Sequence, residues 1–319
     1  MNKHRPYTPD PGQMALWPNA SGNDINGLGE TTFRRPRHVY WSDPDNSTFG
    51  AVQKWFYARN SHPDIETQRL ARNAIRDVPL PPVAEHPVQK TDAEWTSALK
   101  AEALRFGAED VGVAEMDPDW VYEGWAEPYS HIVVMAIAMD YDTMTQAPEI
   151  AAGVEVVRQY ARGMKTSKLL SGWLRDQGHD AMPEHGPLAE GFTLVPAALA
   201  AGLGELGKHG SIINRKLGSC FRLAAVLCNL PLIPDQPDNF GADDFCARCQ
   251  LCANACPPEA IGPEKQTVRG ATKWYVNFDK CLPFFNETAG CAICITVCPF
   301  SRPGVGDNLV AKLARRISG

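Results

Sequence analysis

The chain has 319 residues, of which 44% are hydrophobic and 21% charged, with a net charge of −6 and a pI near 5.8. This is the composition of a globular protein long enough to bury a sizeable core, and its acidic balance argues against a nucleic-acid partner. The longest apolar run, His131–Met139, is far short of the ~20 residues a helix needs to cross a bilayer.

In chain order, residues 1–90 are rich in Pro, Asn, Asp and Arg and read as an extended N-terminal arm with one helix near Thr67–Arg76. Arg34–Arg35 is followed by a polar stretch, so it does not read as an export signal, and a cytoplasmic location is expected. Thr91-Asp92 can cap a helix running to about Phe106, with Trp95, Leu99 and Leu104 on its apolar face. Val111–Ala114 and Ile132–Ala138 read as strands, and a long helix from about Glu149 to Gln177 is closed by Gly178. A short strand near Asp180–Met182, a helix near Glu190–Ala201 and a strand at Phe221–Leu227 complete an α/β layer over residues 91–240. Gly202–Gly210 fits GxGxxG formally but follows a helix, so its glycines read as permitting close backbone approach to a bulky neighbour. The basic Lys312–Arg316 stretch reads as a solvated helix face in a tail spanning 305–319.

Residues 241–304 carry the main chemical signal. Cys246, Cys249, Cys252 and Cys256-Pro257 follow C-x2-C-x2-C-x3-C-P, and Cys291, Cys294 and Cys298-Pro299 repeat it, with Cys281 upstream. In two-cluster bacterial ferredoxins the fourth cysteine of such a run ligates the other cluster. That logic assigns Cys246, Cys249, Cys252 and Cys298 to one [4Fe–4S] cluster and Cys256, Cys281, Cys291 and Cys294 to a second. A pair of structural zinc sites is the alternative for thiolates at CxxC spacing. Cys220 and Cys228 lie outside the pattern and read as core cysteines. In a reducing compartment such cysteine usage argues for metal over disulfides.

From about Ile132 to Pro303 the sequence resembles the cobalamin-dependent reductive dehalogenases and their relatives, the epoxyqueuosine reductases. The carrying segments are residues 197–232, CARCQLCANACPPEAI at 246–261, and 273–304. EHGPL (184–188), GKH (207–209) and LGS (217–219) lean toward the epoxyqueuosine branch. The short Cys281–Cys291 gap and the CPFSRPG ending lean toward the dehalogenases, as does Lys165 where the tRNA-modifying branch carries an aspartate. The resemblance implies an α/β (α+β) corrinoid-binding core over 91–240, joined to a bacterial-ferredoxin-like domain with two [4Fe–4S] clusters. It implies cobalamin bound base-off, reduced by the nearer cluster. Contacts to it are expected from Gly207, Lys208, His209, His185 and Leu282.

The resemblance also implies a small-molecule organohalide substrate and an external reductase, ferredoxin or flavodoxin as electron donor. Tyr160 matches the position where the family's tyrosine donates a proton, and a phenol with an ordinary pKa near 10 is protonated at neutral pH. Arg222 is the candidate for stabilising the phenolate left behind, with Lys165 as the second candidate. Two readings stand beside this one: another cobalamin-dependent reduction, including epoxyqueuosine-type deoxygenation, and an electron-transfer or corrinoid-carrier protein without chemistry of its own.

Overall fold

The computed structural model describes residues 7–186 and 191–317, without the side chains of His185, Arg316 and Ile317. The N-terminal arm is more helical than its composition suggests. It forms α1 (Pro11–Met14), α2 (Gly22–Asn26), α3 (Gly50–Arg59) and α4 (Pro63–Asp77). Helix α4 contains the expected segment and starts on Pro63, with Asp64 and Glu66 in its first turn and Arg76 in its last, all favourable to the helix dipole. Its C-terminal carbonyls are covered by Lys168, whose Nζ donates to the oxygens of Ile75, Arg76 and Val78.

Helix α5 (Asp92–Arg105) starts with the capping box Thr91/Glu94. It buries Trp95, Leu99 and Ala103, while Leu104 lies 48% exposed, one position off the stripe that the periodicity places it on. Strands β1 (Asp110–Glu115) and β2 (His131–Ala138) are followed by α6 (Tyr141–Met144) and the long α7 (Ile150–Asp176). Gly178 terminates α7 at φ +83, where a Cβ would lie 2.5 Å from the Pro87 backbone. Then come β3 (Ala181–His185), α8 (Leu194–Ala200), the small hairpin of β4 (Glu205–Leu206) and β5 (Ile212–Ile213), and β6 (Phe221–Cys228). The four long strands form one sheet in the order β1-β2-β6-β3, with every neighbouring pair antiparallel.

This sheet explains the apolar run at Ile132. Val133, Met135 and Ile137 face a core with α5 and α7, while Ile132, Val134 and Ala136 face one with α8 and Phe192. A strand covered on both faces loses the alternation of a half-buried one. Both cores are closed by leucines, alanines and aromatics, with Leu99 and Leu170 fully buried.

The cysteine-bearing part follows as α9 (Ala242–Arg248), α10 (Leu251–Ala255), a hairpin of β7 (Gln266–Val268) and β8 (Ala271–Lys273), α11 (Phe278–Glu287), α12 (Ile293–Thr296) and α13 (Val305–Ile317). Helix α13 turns Leu309, Val310 and Leu313 onto Phe300 and Trp274 and exposes Lys312 and Arg315. The arm packs chiefly on α11. Tyr40, Phe49, Val52 and Phe56 surround Leu282, and Tyr40 Oη donates to Asn286 Oδ1 at 2.8 Å. Among the described residues no helix is long and apolar enough to cross a membrane.

Candidate active site and cysteine centres

The cysteines gather as two quartets at the C-terminal end of the molecule. Cys246, Cys249, Cys252 and Cys298 line one small cavity with Lys208, His209, Phe245 and Phe300. Cys281, Cys291 and Cys256 are electrostatic neighbours of one another, and Cys294 lies among them. Burial pushes the thiols up, to about 12 for Cys246 and Cys281 and about 11 for Cys252, Cys291 and Cys298. None of the ten cysteines is paired in a disulfide. Among the described residues no three Cys, His, Asp or Glu side chains converge closely enough to share one metal ion. Cys228 is buried in the core under α5 and α7, and Cys220 is buried in a separate apolar cluster with Ala292 and Ile295, against which Cys294 packs.

Local structure sets these positions. Cys246 rides on α9, whose N-terminus has no cap of its own. The orphan N–H groups are instead taken by Glu205: Oε1 accepts from Phe240 and Ala242 at 2.6 and 2.9 Å, and Oε2 from Asp243 at 3.1 Å. Glu205 lies inside the GLGELG stretch. The neighbour its glycines approach is the chain's own backbone, since a Cβ on Gly204 would sit 2.0 Å from the Ile213 carbonyl oxygen. His209 is buried in the same hairpin. Its Nδ1 accepts from the Ser211 N–H at 3.2 Å, which leaves Nε2 to donate to Ser219 Oγ at 3.0 Å. Burial lowers its pKa to about 4, so the ring is neutral.

The second quartet borders a different space. Residues Ala289, Gly290, Cys291 and Ala292 all adopt positive φ, between +51 and +105. Held left-handed conformations in non-glycine residues cost on the order of 1–3 kcal/mol each and persist only where surroundings enforce them. Here the arm enforces them. Buried Asn60 accepts from the Ala289 N–H at 2.9 Å and donates to the Asn286 carbonyl at 2.7 Å.

This loop forms one wall of a cavity of about 230 Å³. The other walls are Tyr160, Val156 and Gly153 of α7, Arg222 of β6, and Trp41, Phe56, Tyr57, Arg69 and Arg72 of the arm. The Arg222 guanidinium lies 5.3 Å from the Tyr160 ring centroid, and its buried Nε has no hydrogen-bond partner among the described residues. The turn after β3 backs the ring: a Cβ at Gly186 would come within 2.5 Å of Tyr160 Cε1. Arg69 stacks on Tyr57 at 4.9 Å and pairs with Glu66 at 2.5 Å. Arg72 has no carboxylate partner among the described residues; burial lowers its pKa, partly offset by Tyr57. Among the described residues no His, Asp or Glu lines the cavity.

The structure thus brings Tyr160, Arg222 and Cys291 to one cavity and leaves other candidates elsewhere. Lys165 is exposed and does not line it, because five residues along a helix turn a side chain about 140° away. Lys208 and His209 sit against the first quartet, Gly207 packs against the His209 ring and Ile213, and Leu282 packs into the core under the arm. The His185 side chain lies outside the described residues. Sequence reasoning missed Glu205, Asn60, Arg69 and Arg72. The two arginines, three apart in Arg69-x-x-Arg72, share a face of a helix whose existence was legible, but nothing in the sequence says what that face meets.

Comparison with known proteins agrees with this geometry. Residues 245–301 match the model of a 4Fe-4S dicluster domain. The chain is 30% identical over 224 residues to the tetrachloroethene reductive dehalogenase of Desulfitobacterium hafniense, covering 66% of this chain and 40% of that protein. It is 35% identical over 126 residues to the epoxyqueuosine reductase of Leadbetterella byssophila, covering 33% and 37%. A solved reductive dehalogenase, described as suggesting a mechanism for B12-dependent dehalogenation, superposes with a TM-score of 0.67 at 25% identity, covering 80% of this chain and 40% of that one. The chain therefore spans less than half the length of these relatives. With the paired cysteine runs, the antiparallel core and these likenesses together, the chain is similar to the reductive dehalogenases and, over a shorter stretch, to the epoxyqueuosine reductases, and residues 245–301 match a 4Fe-4S dicluster domain.

Proposed function

We propose that the chain catalyses reductive cleavage of a carbon–halogen bond in a small organohalide, and that Tyr160 delivers the proton. The observation that carries this reading is one cavity faced by a tyrosine, an arginine whose buried Nε has no hydrogen-bond partner among the described residues, and a cysteine of the second quartet. Overall, R–X, two electrons and one proton give R–H and X⁻.

The cysteines fit two [4Fe–4S] clusters. Each quartet supplies four thiols, and their spread suits a polynuclear group better than a single ion. Cys246, Cys249, Cys252 and Cys298 would hold one cluster and Cys256, Cys281, Cys291 and Cys294 the other, nearer the cavity. A corrinoid fits the cavity's chemistry in its apolar and aromatic walls, in the absence of His, Asp or Glu from its lining among the described residues, and in Cys291 at its edge. When bound, it supplies the low-valent cobalt at which the carbon–halogen bond is cleaved. The enclosed space is that of a one-ring organic molecule, so seating a macrocycle requires the arm helices α3 and α4 to give.

The chain's own residues do the rest. Tyr160 Oη gives its proton to the carbon that loses the halogen. Arg222 beside the ring favours the phenolate that remains, which lowers the cost of the transfer. Arg72 and Arg222, without carboxylate partners among the described residues, make the cavity electropositive and favour an anionic or halogen-bearing aromatic substrate and the departing halide. Trp41, Phe56 and Tyr57 exclude water from the reacting carbon. An external ferredoxin, flavodoxin or reductase supplies electrons, in a cytoplasmic setting.

The test is turnover by anaerobically prepared, corrinoid-loaded protein with a reduced donor and a panel of halogenated phenols and benzoates, wild type against Tyr160→Phe. Halide release that falls by about 10²–10⁴ in the variant supports the assignment. Undiminished release refutes Tyr160 as the donor. No release from wild type carrying both clusters leaves an electron carrier as the better reading.

A further inference from the structure

We infer that the Lys208 ammonium is the fixed counter-charge of the cluster held by Cys246, Cys249, Cys252 and Cys298, and sets that cluster's reduction potential above that of the other.

Lys208 is among the largest fully buried side chains, 1% exposed. Its Nζ is buried and has no hydrogen-bond partner among the described residues. An ammonium out of water without an acceptor is costly, and proteins tolerate one where an opposite charge compensates it. The nearby carboxylates are already engaged. Asp243 accepts from Trp274 Nε1 at 2.6 Å and pairs with Lys265 at 2.5 Å, while Glu205 is spent on three backbone N–H groups of the α9 start. What Lys208 does meet is the face of Trp274, 4.8 Å away, and the cavity framed by the four cysteines. Its own backbone N–H points at Cys246 Sγ at 3.5 Å. An iron–sulfur cluster held by these four thiolates would be anionic, and would give the buried cation its partner.

The two quartets differ in this respect. Lys208 is 1% exposed and lines the small cavity that the first quartet frames, whereas the cations near the second, Arg72 and Arg222, are only half-buried and line the wider cavity that Cys291 borders. A nearby positive charge stabilises the more negative, reduced state. The first cluster is then the easier of the two to reduce, and it stores the electron that the second, at the cavity, passes on. His209 beside it adds no charge, because its ring is neutral and satisfied by Ser211 and Ser219. Hydrogen bonding and exposure also set cluster potentials, and a substitution that keeps the cavity sealed isolates the charge.

This inference rests on the two-cluster reading, and the experiment separates the two. Anaerobically reconstituted full-length wild type, Lys208→Met and Lys208→Arg are titrated with dithionite and followed by electron paramagnetic resonance, with iron counted on each. Wild type without iron overturns the cluster reading itself. With both clusters present, Lys208→Met is expected to lower one midpoint by at least a tenfold change in its reduction equilibrium, about 59 mV for one electron. The other midpoint stays in place, and Lys208→Arg keeps both near wild type. Unmoved midpoints in Lys208→Met, or two that shift together, overturn the inference. If Lys208→Met retains only half the iron, full iron in Lys208→Arg supports the charge requirement, and equal loss in both variants overturns it.

Discussion

Glu205 is the clearest place where the fold of the core and the first cysteine quartet depend on one side chain. Glu205→Ala leaves the N–H groups of Phe240, Ala242 and Asp243 without their acceptor, at the start of a helix with no other cap. A buried donor deprived of its partner costs about 1–3 kcal/mol, which puts the ceiling for three near 9 kcal/mol. Water entering the space vacated by the side chain satisfies part of that, so a loss of about 3–5 kcal/mol is expected, a large share of a typical 5–15 kcal/mol stability. Because α9 carries Cys246, the same change should free the first quartet before the second. Glu205→Gln, which keeps one acceptor oxygen and turns an amide toward the other donors, should cost about 1–3 kcal/mol. Chemical denaturation, with iron counted per chain after reconstitution, reads both effects. A Glu205→Ala protein within about 1 kcal/mol of wild type and with full iron would refute the reasoning.

Four further outcomes are expected. Tyr160→Phe should lower turnover by about 10²–10⁴ while leaving thermal stability near wild type, since the ring and its Arg222 contact remain; steady-state halide release and a melting curve check it. Arg72→Gln should raise KM for anionic substrates about tenfold or more and leave neutral halides less affected, read from paired kinetics. Asn60→Ala should destabilise by about 2–4 kcal/mol and loosen residues 289–292, seen as faster amide exchange there. His209 has a folded pKa depressed to about 4 against an unfolded value near 6.5, so the unfolded chain binds its proton first as pH falls. Its contribution is present above pH 6.5 and is lost toward pH 4, up to about 3 kcal/mol, and His209→Gln should flatten that part of the stability–pH curve.

The sequence by itself determined the elements with strong local signals. The Thr91/Glu94 box starts α5, Gly178 ends α7 at a positive φ, and the duplicated Cys-x2-Cys spacing marks the dicluster domain. These depend on contacts within a few residues, so local chemistry suffices to specify them. Periodicity was less secure where packing chooses the face: Leu104 was expected in the core and lies outside it, while Ala103 is inside. The arm shows the limit most plainly. Its polar, proline-rich composition hides an Asn60–Asn286 network and the Arg69 and Arg72 face, because their partners lie on α11 and α7, some 90–230 residues away. Only the tertiary structure decided that Tyr160, Arg222 and Cys291 share one cavity, that Lys165 faces solvent, and that Lys208 is buried beside the first quartet. Those relations are set by how the sheet, the arm and the cysteine module close on one another, and long-range closure leaves no periodic trace in the chain.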